Sequence, residues 1–154
     1  MPMPMPMPMP MPTPRLMPDK PHLLMVDDND GDLCLVRIAL ENARIEVEFD
    51  TALNGLIGQD HLKQLVEAGG PLPKAVLLDL NMPRMDGRQL LKWIRSAKAL
   101  QAMPVIMFTS SNDAKERTHC MGMGATDYWV KPTRFEDYSR MVARLVVYFE
   151  GAPT

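Results

Sequence analysis

Three kinds of side chain in this sequence could act together on a phosphoryl group if the chain converges them. The stretch VDDND (26–30) sets Asp27 and Asp28 directly after an apolar run, and VLLDLNMPRMDG (76–87) ends a second apolar run on Asp79 before breaking at Pro83. A third apolar run finishes at Thr109, followed by Ser110 and Ser111, and a fourth at Lys131-Pro132. Three carboxylates in one crevice repel each other, and burial favours protonation of at least one unless a cation sits among them. Oxygen donors of this kind suit Mg²⁺, which takes one or two carboxylates, phosphate oxygens and several waters. Taken singly, Asp27, Asp28 and Asp79 are ordinary cap or loop carboxylates. With a hydroxyl and an ammonium at the same edge they describe phosphoryl transfer, where positioning and charge neutralisation do most of the catalysis.

That convergence depends on the elements carrying these residues. HLLMV (22–26) reads as a strand. GDLCLVRIALENA (31–43) reads as a helix with Leu33, Val36, Ile38 and Leu40 on its apolar side. IEVEFDTA (45–52) alternates as a strand with one wetter face, and NGLIGQDHLKQLVEAG is a helix closed by Gly69-Gly70. Strands at 74–79, 103–109 and 126–130 then alternate with helices at 87–100, 112–123 and 134–149. Five strands alternating with five helices predict an α/β fold with a parallel sheet covered on both faces. Right-handed crossovers leave few topologies, and the flavodoxin-like (βα)5 doubly wound order 2-1-3-4-5 fits best. In that order the chain reverses between strands 1 and 3, so ligands bind where Asp27, Asp28 and Asp79 end their strands.

Composition bounds the rest. The chain has 154 residues, enough for one domain with a full core. Six of its 15 Met and six of its 15 Pro lie in MPMPMPMPMPMP (1–12), which cannot sustain a helix or a central strand, so residues 1–21 are expected to be a disordered tail. The domain is expected to span 22–149, with 150–154 as a short second tail. No secretory signal or membrane span is expected. A net charge of −2 supplies no basic face for nucleic acid. Cys34 and Cys120 form no CxxC pair, and His22, His61 and His119 lack ligand spacing. Two buried, reduced thiols in a cytoplasmic protein are expected.

VDDND (26–30), LLDLNMPRMDG (77–87), FTSS (108–111) and GATDYWVKP (124–132), in this order, resemble the four signature stretches of response-regulator receiver domains of two-component signalling. The resemblance spans residues 22 to 149. It implies that Asp79 is the phosphoacceptor and that Asp27 and Asp28 hold Mg²⁺ beside it, with the backbone carbonyl of Asn81 as a further ligand. Thr109 and Lys131 match the switch hydroxyl and the lysine that neutralises the phosphoryl group, and Tyr128 matches the switch aromatic. Asn81 and Ser111 occupy the positions at which receivers tune the lifetime of the acyl phosphate. The donor implied is a sensor histidine kinase, and the recipient a downstream protein partner or phosphotransfer protein. FTSS, YWVKP and RFEDY further resemble small stand-alone receivers paired with phytochrome-type histidine kinases.

Several expectations accompany this reading. A haloacid-dehalogenase-like phosphoaspartate hydrolase would need a second Asp where Asn81 stands, and a flavodoxin-type cofactor carrier would need a hydroxyl- and Gly-rich loop where DDNDGD stands. Only five residues follow Phe149, which predicts a stand-alone domain without an output module. The Lys131-Pro132 bond is expected to be cis. Adjacent strand residues point to opposite faces, so Tyr128 and Trp129 should enter different helical layers. In the last helix Phe135, Tyr138, Val142, Leu145 and Phe149 form the sheet-facing stripe, leaving Met141, Val146, Val147 and Tyr148 surplus. That surplus predicts a homodimer through the fourth helix, fifth strand and fifth helix.

Overall fold

A computed structural model describes residues 20–150; most of the expected 1–21 tail and residues 151–154 lie outside that range. Strand β1 (His22–Val26) leads into α1 (Asp30–Asn42), β2 (Glu48–Ala52) into α2 (Gly55–Ala68), and β3 (Ala75–Leu78) into α3 (Gly87–Ser96). A 3-10 turn at Lys98–Leu100 precedes β4 (Val105–Thr109), α4 (Ala114–Gly122), β5 (Asp127–Val130) and α5 (Phe135–Glu150). All strand pairings are parallel and the order is β2-β1-β3-β4-β5. This is the flavodoxin-like arrangement predicted, with the chain reversal between β1 and β3.

The three central strands are apolar on both faces because both faces are covered. Leu24, Val26, Val76, Leu78 and Met107 pack with Leu62 of α2, Leu90, Leu91 and Ile94 of α3 and Cys120 of α4. Leu23, Met25, Leu77, Ile106 and Phe108 pack with Val36 and Leu40 of α1 and with Met141, Val142 and Leu145 of α5. Tyr128 joins the first layer and Trp129 the second, as alternation along a strand requires.

Helix boundaries follow local chemistry. Asn29, Asn54 and Asp113 each accept a backbone N–H of the first turn of α1, α2 and α4. Asp86 caps α3 in a reciprocal box with Gln89. Gly69 ends α2 with φ 67°, in the left-handed region that a glycine enters without steric cost. The helix predicted to run to residue 100 ends at Ser96, where Ala97 turns extended before the 3-10 turn.

Four expectations are corrected here. Ile38 is exposed and Ala39 takes its core position, because the buried stripe of α1 follows Leu33, Val36, Ala39 and Leu40. Cys34 is exposed on α1, and Cys120 alone of the two thiols is buried. Met141 belongs to the core at 5% exposure, whereas Phe135, the first residue of α5, is 37% exposed. The Lys131-Pro132 bond is trans, as is every other peptide bond among the described residues. Lys131 reaches the site without the cis turn, since its own N–H holds the Thr109 carbonyl at 2.7 Å and so aligns the strand end.

The stripe of α1 supplies a direct check. Leu40→Ala should cost about 2–4 kcal/mol by denaturant unfolding, whereas Ile38→Ala should cost less than about 1 kcal/mol. Equal losses would mean that the register of α1 differs from the one described.

Candidate functional site

Sheet hydrogen bonding carries the acidic residues to the edge and holds them there. Asp27 N–H donates to the Ala52 carbonyl at 2.9 Å, and Asp79 N–H donates to the Val26 carbonyl at 3.0 Å. Both backbones therefore continue the ladder one step past their strands, and both side chains are buried, at 0% and 7% exposure. Asp28 is exposed. Oxygens of Asp27, Asp28 and Asp79 all lie within 4.8 Å of one another.

One ammonium stands against these carboxylates. Lys131 Nζ lies 2.8 Å from Asp27 Oδ2, 2.7 Å from Asp32 Oδ2 and 3.6 Å from Asp79 Oδ2. Asp32, in the first turn of α1, is the site residue that sequence reasoning missed. An acidic residue there suits the positive end of a helix in any protein, so its type carried no signal. The Lys131–Asp32 contact is a directed hydrogen bond. The buried Asp27 Oδ2, although close to the ammonium, lacks hydrogen-bond geometry to any partner.

Burial and mutual repulsion set the protonation of the site. Burial, then the neighbouring Asp27 charge, pushes Asp79 up to about 6. Burial likewise raises Asp27, against the opposing pull of Lys131. For Lys131 burial disfavours the charged form, but the close carboxylates of Asp27 and Asp32 outweigh it and hold the ammonium above its ordinary range. The site thus has a surplus of negative charge and a buried oxygen with unused acceptor capacity. A hard divalent cation fits both features.

The loop after Asp79 follows a tightly constrained path. A Cβ on Gly87 would sit 2.2 Å from the Asp79 carbonyl oxygen, so only glycine lets α3 begin directly beneath the carboxylate. Gly87 N–H closes the loop by donating to the Leu80 carbonyl at 3.0 Å. Arg84 takes φ 70° within the same loop, and Asn81 is exposed on it.

The far side of the crevice is a hydroxyl network. Thr109 is buried, and its Oγ1 accepts Ser111 N–H at 3.2 Å. Ser111 Oγ accepts Asp113 N–H, and the Ser111 carbonyl accepts the Tyr128 hydroxyl at 2.9 Å. Tyr128 is turned inward at 2% exposure, with the Arg117 guanidinium 5.0 Å from its ring centre. Every residue singled out from the sequence for chemistry therefore lies at or beside the carboxyl edge of the sheet. A cavity of about 550 Å³ between α2 and α3, lined by Lys63, Trp93 and Leu100, includes none of them.

A buried aspartate at the switch point of a five-stranded parallel sheet, with two more aspartates and a lysine around it, defines a receiver. The family described as response regulator receiver domain matches residues 23–143, and the chain belongs to it. It is 30% identical over 129 residues to the probable methanogenesis regulatory protein FilR2 of Methanothrix harundinacea, covering 84% of this chain and 83% of that protein. It is 31% identical over 121 residues to response regulator Rcp1 of Synechocystis sp., covering 78% and 82%. Among solved structures, the Mn(2+)-bound form of Rcp1 superposes with a TM-score of 0.75 at 28% identity, over 86% of this chain and 97% of that one. The phosphorylated cyanobacterial phytochrome response regulator RcpA gives 0.77 at 26% identity, over 88% and 98%. Membership of this family displaces the dehalogenase-like and flavodoxin-type alternatives. None of the described helices is long and apolar enough to cross a membrane.

The raised Asp79 value has a measurable sign. A carboxyl whose folded value lies above 3.8 stabilises the fold below that pH and loses the contribution as pH rises through about 6. Without divalent cation, the stability gained by Asp79→Asn over the parent should therefore grow between about pH 4 and pH 7, reaching at most about 3 kcal/mol. Paired urea titrations across that range check it. A difference independent of pH would refute the burial and repulsion assigned to Asp79.

Proposed function

We propose that this protein is a single-domain response regulator that accepts a phosphoryl group on Asp79 from a sensor histidine kinase and relays the signal by protein contact. The observation that carries the proposal is the placement of buried Asp79 within 3.6 Å of Lys131 and beside Asp27 and Asp28. The metal ligands are Asp27, Asp28, Asp79 and the Asn81 carbonyl, and the cation is Mg²⁺. A Mn(2+)-bound relative supports divalent binding in this fold. Relatives described as phytochrome response regulators support a histidine kinase as donor.

In the reaction a carboxylate oxygen of Asp79 attacks phosphorus, and the phosphorus–nitrogen bond of the donor phosphohistidine breaks with its electrons returning to the imidazole. Mg²⁺, when bound, offsets charge on the phosphoryl oxygens. Lys131 offers its ammonium to one of those oxygens and Thr109 its hydroxyl to another. Water later attacks phosphorus and releases inorganic phosphate, restoring Asp79. Asn81 and Ser111 border that approach and tune the lifetime. Thr109, drawn towards the phosphoryl group, would release its hold on Ser111 N–H, and Tyr128 would register the change through the Ser111 carbonyl. A kinase donor that draws on ATP would be met in the cytoplasm, which is the compartment this reading proposes.

Incubation with acetyl phosphate and Mg²⁺ should add one acid-labile phosphoryl group by intact mass. Asp79→Asn should abolish it, because an amide is not a competent nucleophile, while Asp28→Ala should weaken Mg²⁺ binding at least tenfold with the fold intact. Labelling that persists in the Asn variant would sink the assignment.

Self-association through α4, β5 and α5 forms part of this proposal. Val147 is 69% exposed, and Val130 and Phe135 add 38% and 37% on elements of that face. Sedimentation at micromolar concentration should show a dimer whose population rises with the phosphoryl mimic beryllofluoride. A strict monomer in both conditions would remove this part.

A further inference from the structure

The closest partner of Lys131 is the α1 carboxylate of Asp32, which sits neither on a strand end nor among the ligands assigned above. We infer that Asp32 is a positioning residue: it sets the resting place of Lys131, holding the ammonium off the nucleophile so that Asp79 meets the phosphoryl donor unpaired. This inference rests on the reading of Asp79 as phosphoacceptor.

Three distances carry it. The ammonium is 2.7 Å from Asp32, 2.8 Å from Asp27 and 3.6 Å from Asp79. An ammonium has three protons and no acceptor, so two short carboxylate contacts occupy most of its capacity. The remaining proton faces Asp79 across a gap too long for a hydrogen bond. The 9% exposure of the lysine side chain leaves it little solvent to move into. Its alternatives are therefore the three carboxylates around it.

Asp32 is itself fixed. Its N–H donates to the capping Asn29 side chain at 3.0 Å, and it belongs to the first turn of a 13-residue helix. Asn29 N–H in turn donates to Asp27 Oδ1 at 2.9 Å. One short chain of hydrogen bonds thus links the cap of α1, the carboxylate of Asp27 and the carboxylate that holds Lys131. With the Asp32 carboxylate removed, the ammonium keeps Asp27 at 2.8 Å, and the carboxylate left to replace Asp32 is Asp79, at 3.6 Å, less than 1 Å beyond hydrogen-bond range. A lysine closed on Asp79 would lower the nucleophilicity of that oxygen and occupy the space in which phosphorus must approach.

The variants Asp32→Ala and Asp32→Asn of the full chain test this, with labelling by acetyl phosphate in saturating Mg²⁺, Mg²⁺ affinity by titration, and crystal structures. Asp32→Ala should slow labelling about tenfold and bring Lys131 Nζ to hydrogen-bond distance of Asp79. Asp32→Asn keeps an acceptor oxygen but loses the charge-assisted bond, and should slow labelling about threefold. Mg²⁺ affinity should stay within about threefold of the parent in both, which separates a role through Lys131 from a role as cation ligand. Should the Ala variant fail to fold, the Asn variant decides alone. Labelling rates within twofold of the parent, or faster ones, would overturn the inference, the faster because Asp32 would then act only by repelling the anionic donor. A fall in rate matched by an equal fall in Mg²⁺ affinity would overturn it too. If the parent protein itself takes no label, the phosphoacceptor reading fails, and that result is distinct from any of these.

Discussion

One ammonium set among three carboxylates is the constraint on which the rest of the structure depends. Lys131 comes from the far edge strand, Asp27 and Asp79 from the two central strands at the chain reversal, and Asp32 from the helix above them. No local segment could assemble that group. It requires a parallel sheet in which β3 lies between β1 and β4, so that strand ends distant in sequence share one edge. Even then the charges do not balance, since Asp27 and Asp79 are held towards protonation by burial and proximity. A divalent cation bound among these carboxylates would relieve that repulsion.

Positions that never touch a phosphoryl group are shaped by the same requirement. Gly87 has no side chain because the Asp79 carbonyl occupies the space. Gly55 is constrained in the same way by the Met85 carbonyl, 2.1 Å from where its Cβ would be. The starts of α2 and α3 are thereby pressed against the acidic loop, and the capping box of Asp86 and Gln89 fixes where α3 begins. Arg84 tolerates a left-handed backbone to complete the turn. The strain in this loop is local and the support around it regular, which is the distribution expected where geometry serves a site.

Strand ends were legible in the sequence because periodicity and charge change at the same residue. An apolar run that stops on Asp27 or Asp79 announces both the element and its edge. Asp32 was not legible, because its contact with Lys131 spans 99 positions and its place in the first turn of a helix is explained equally well by the helix itself. Ile38 and Met141 were assigned to the wrong sides for another reason. A stripe three or four residues apart can be drawn through either of two neighbouring rows, and only the docked angle of the helix chooses Ala39 over Ile38 and admits Met141 beside Val142. The trans bond before Pro132 shows the limit of a residue-type argument. Proline lowers the cost of cis without requiring it, and the Lys131 hydrogen bond to Thr109 aligns the chain without that isomer.

The end of β5 joins the two helical layers that a signal would have to reach. Tyr128 enters one layer, where Arg117 of α4 stacks on its ring and donates to its carbonyl at 3.3 Å. Trp129 enters the other, where Arg144 of α5 lies 4.2 Å from its ring centre and Asp127 accepts the indole N–H at 2.8 Å. Lys131 follows two residues later. A densely packed interior does not absorb a small displacement by compressing. Any shift of the β5 end, as the proposed exchange of Lys131 from a carboxylate to a phosphoryl oxygen would cause, must therefore be met by α4 through Arg117, by α5 through Arg144, or by both. The two arginine–aromatic contacts lie nearer the surface than the leucine core and need less energy to rearrange than core side chains, so on the proposed reading of Asp79 the face formed by α4, β5 and α5 is where a change there would reach a partner.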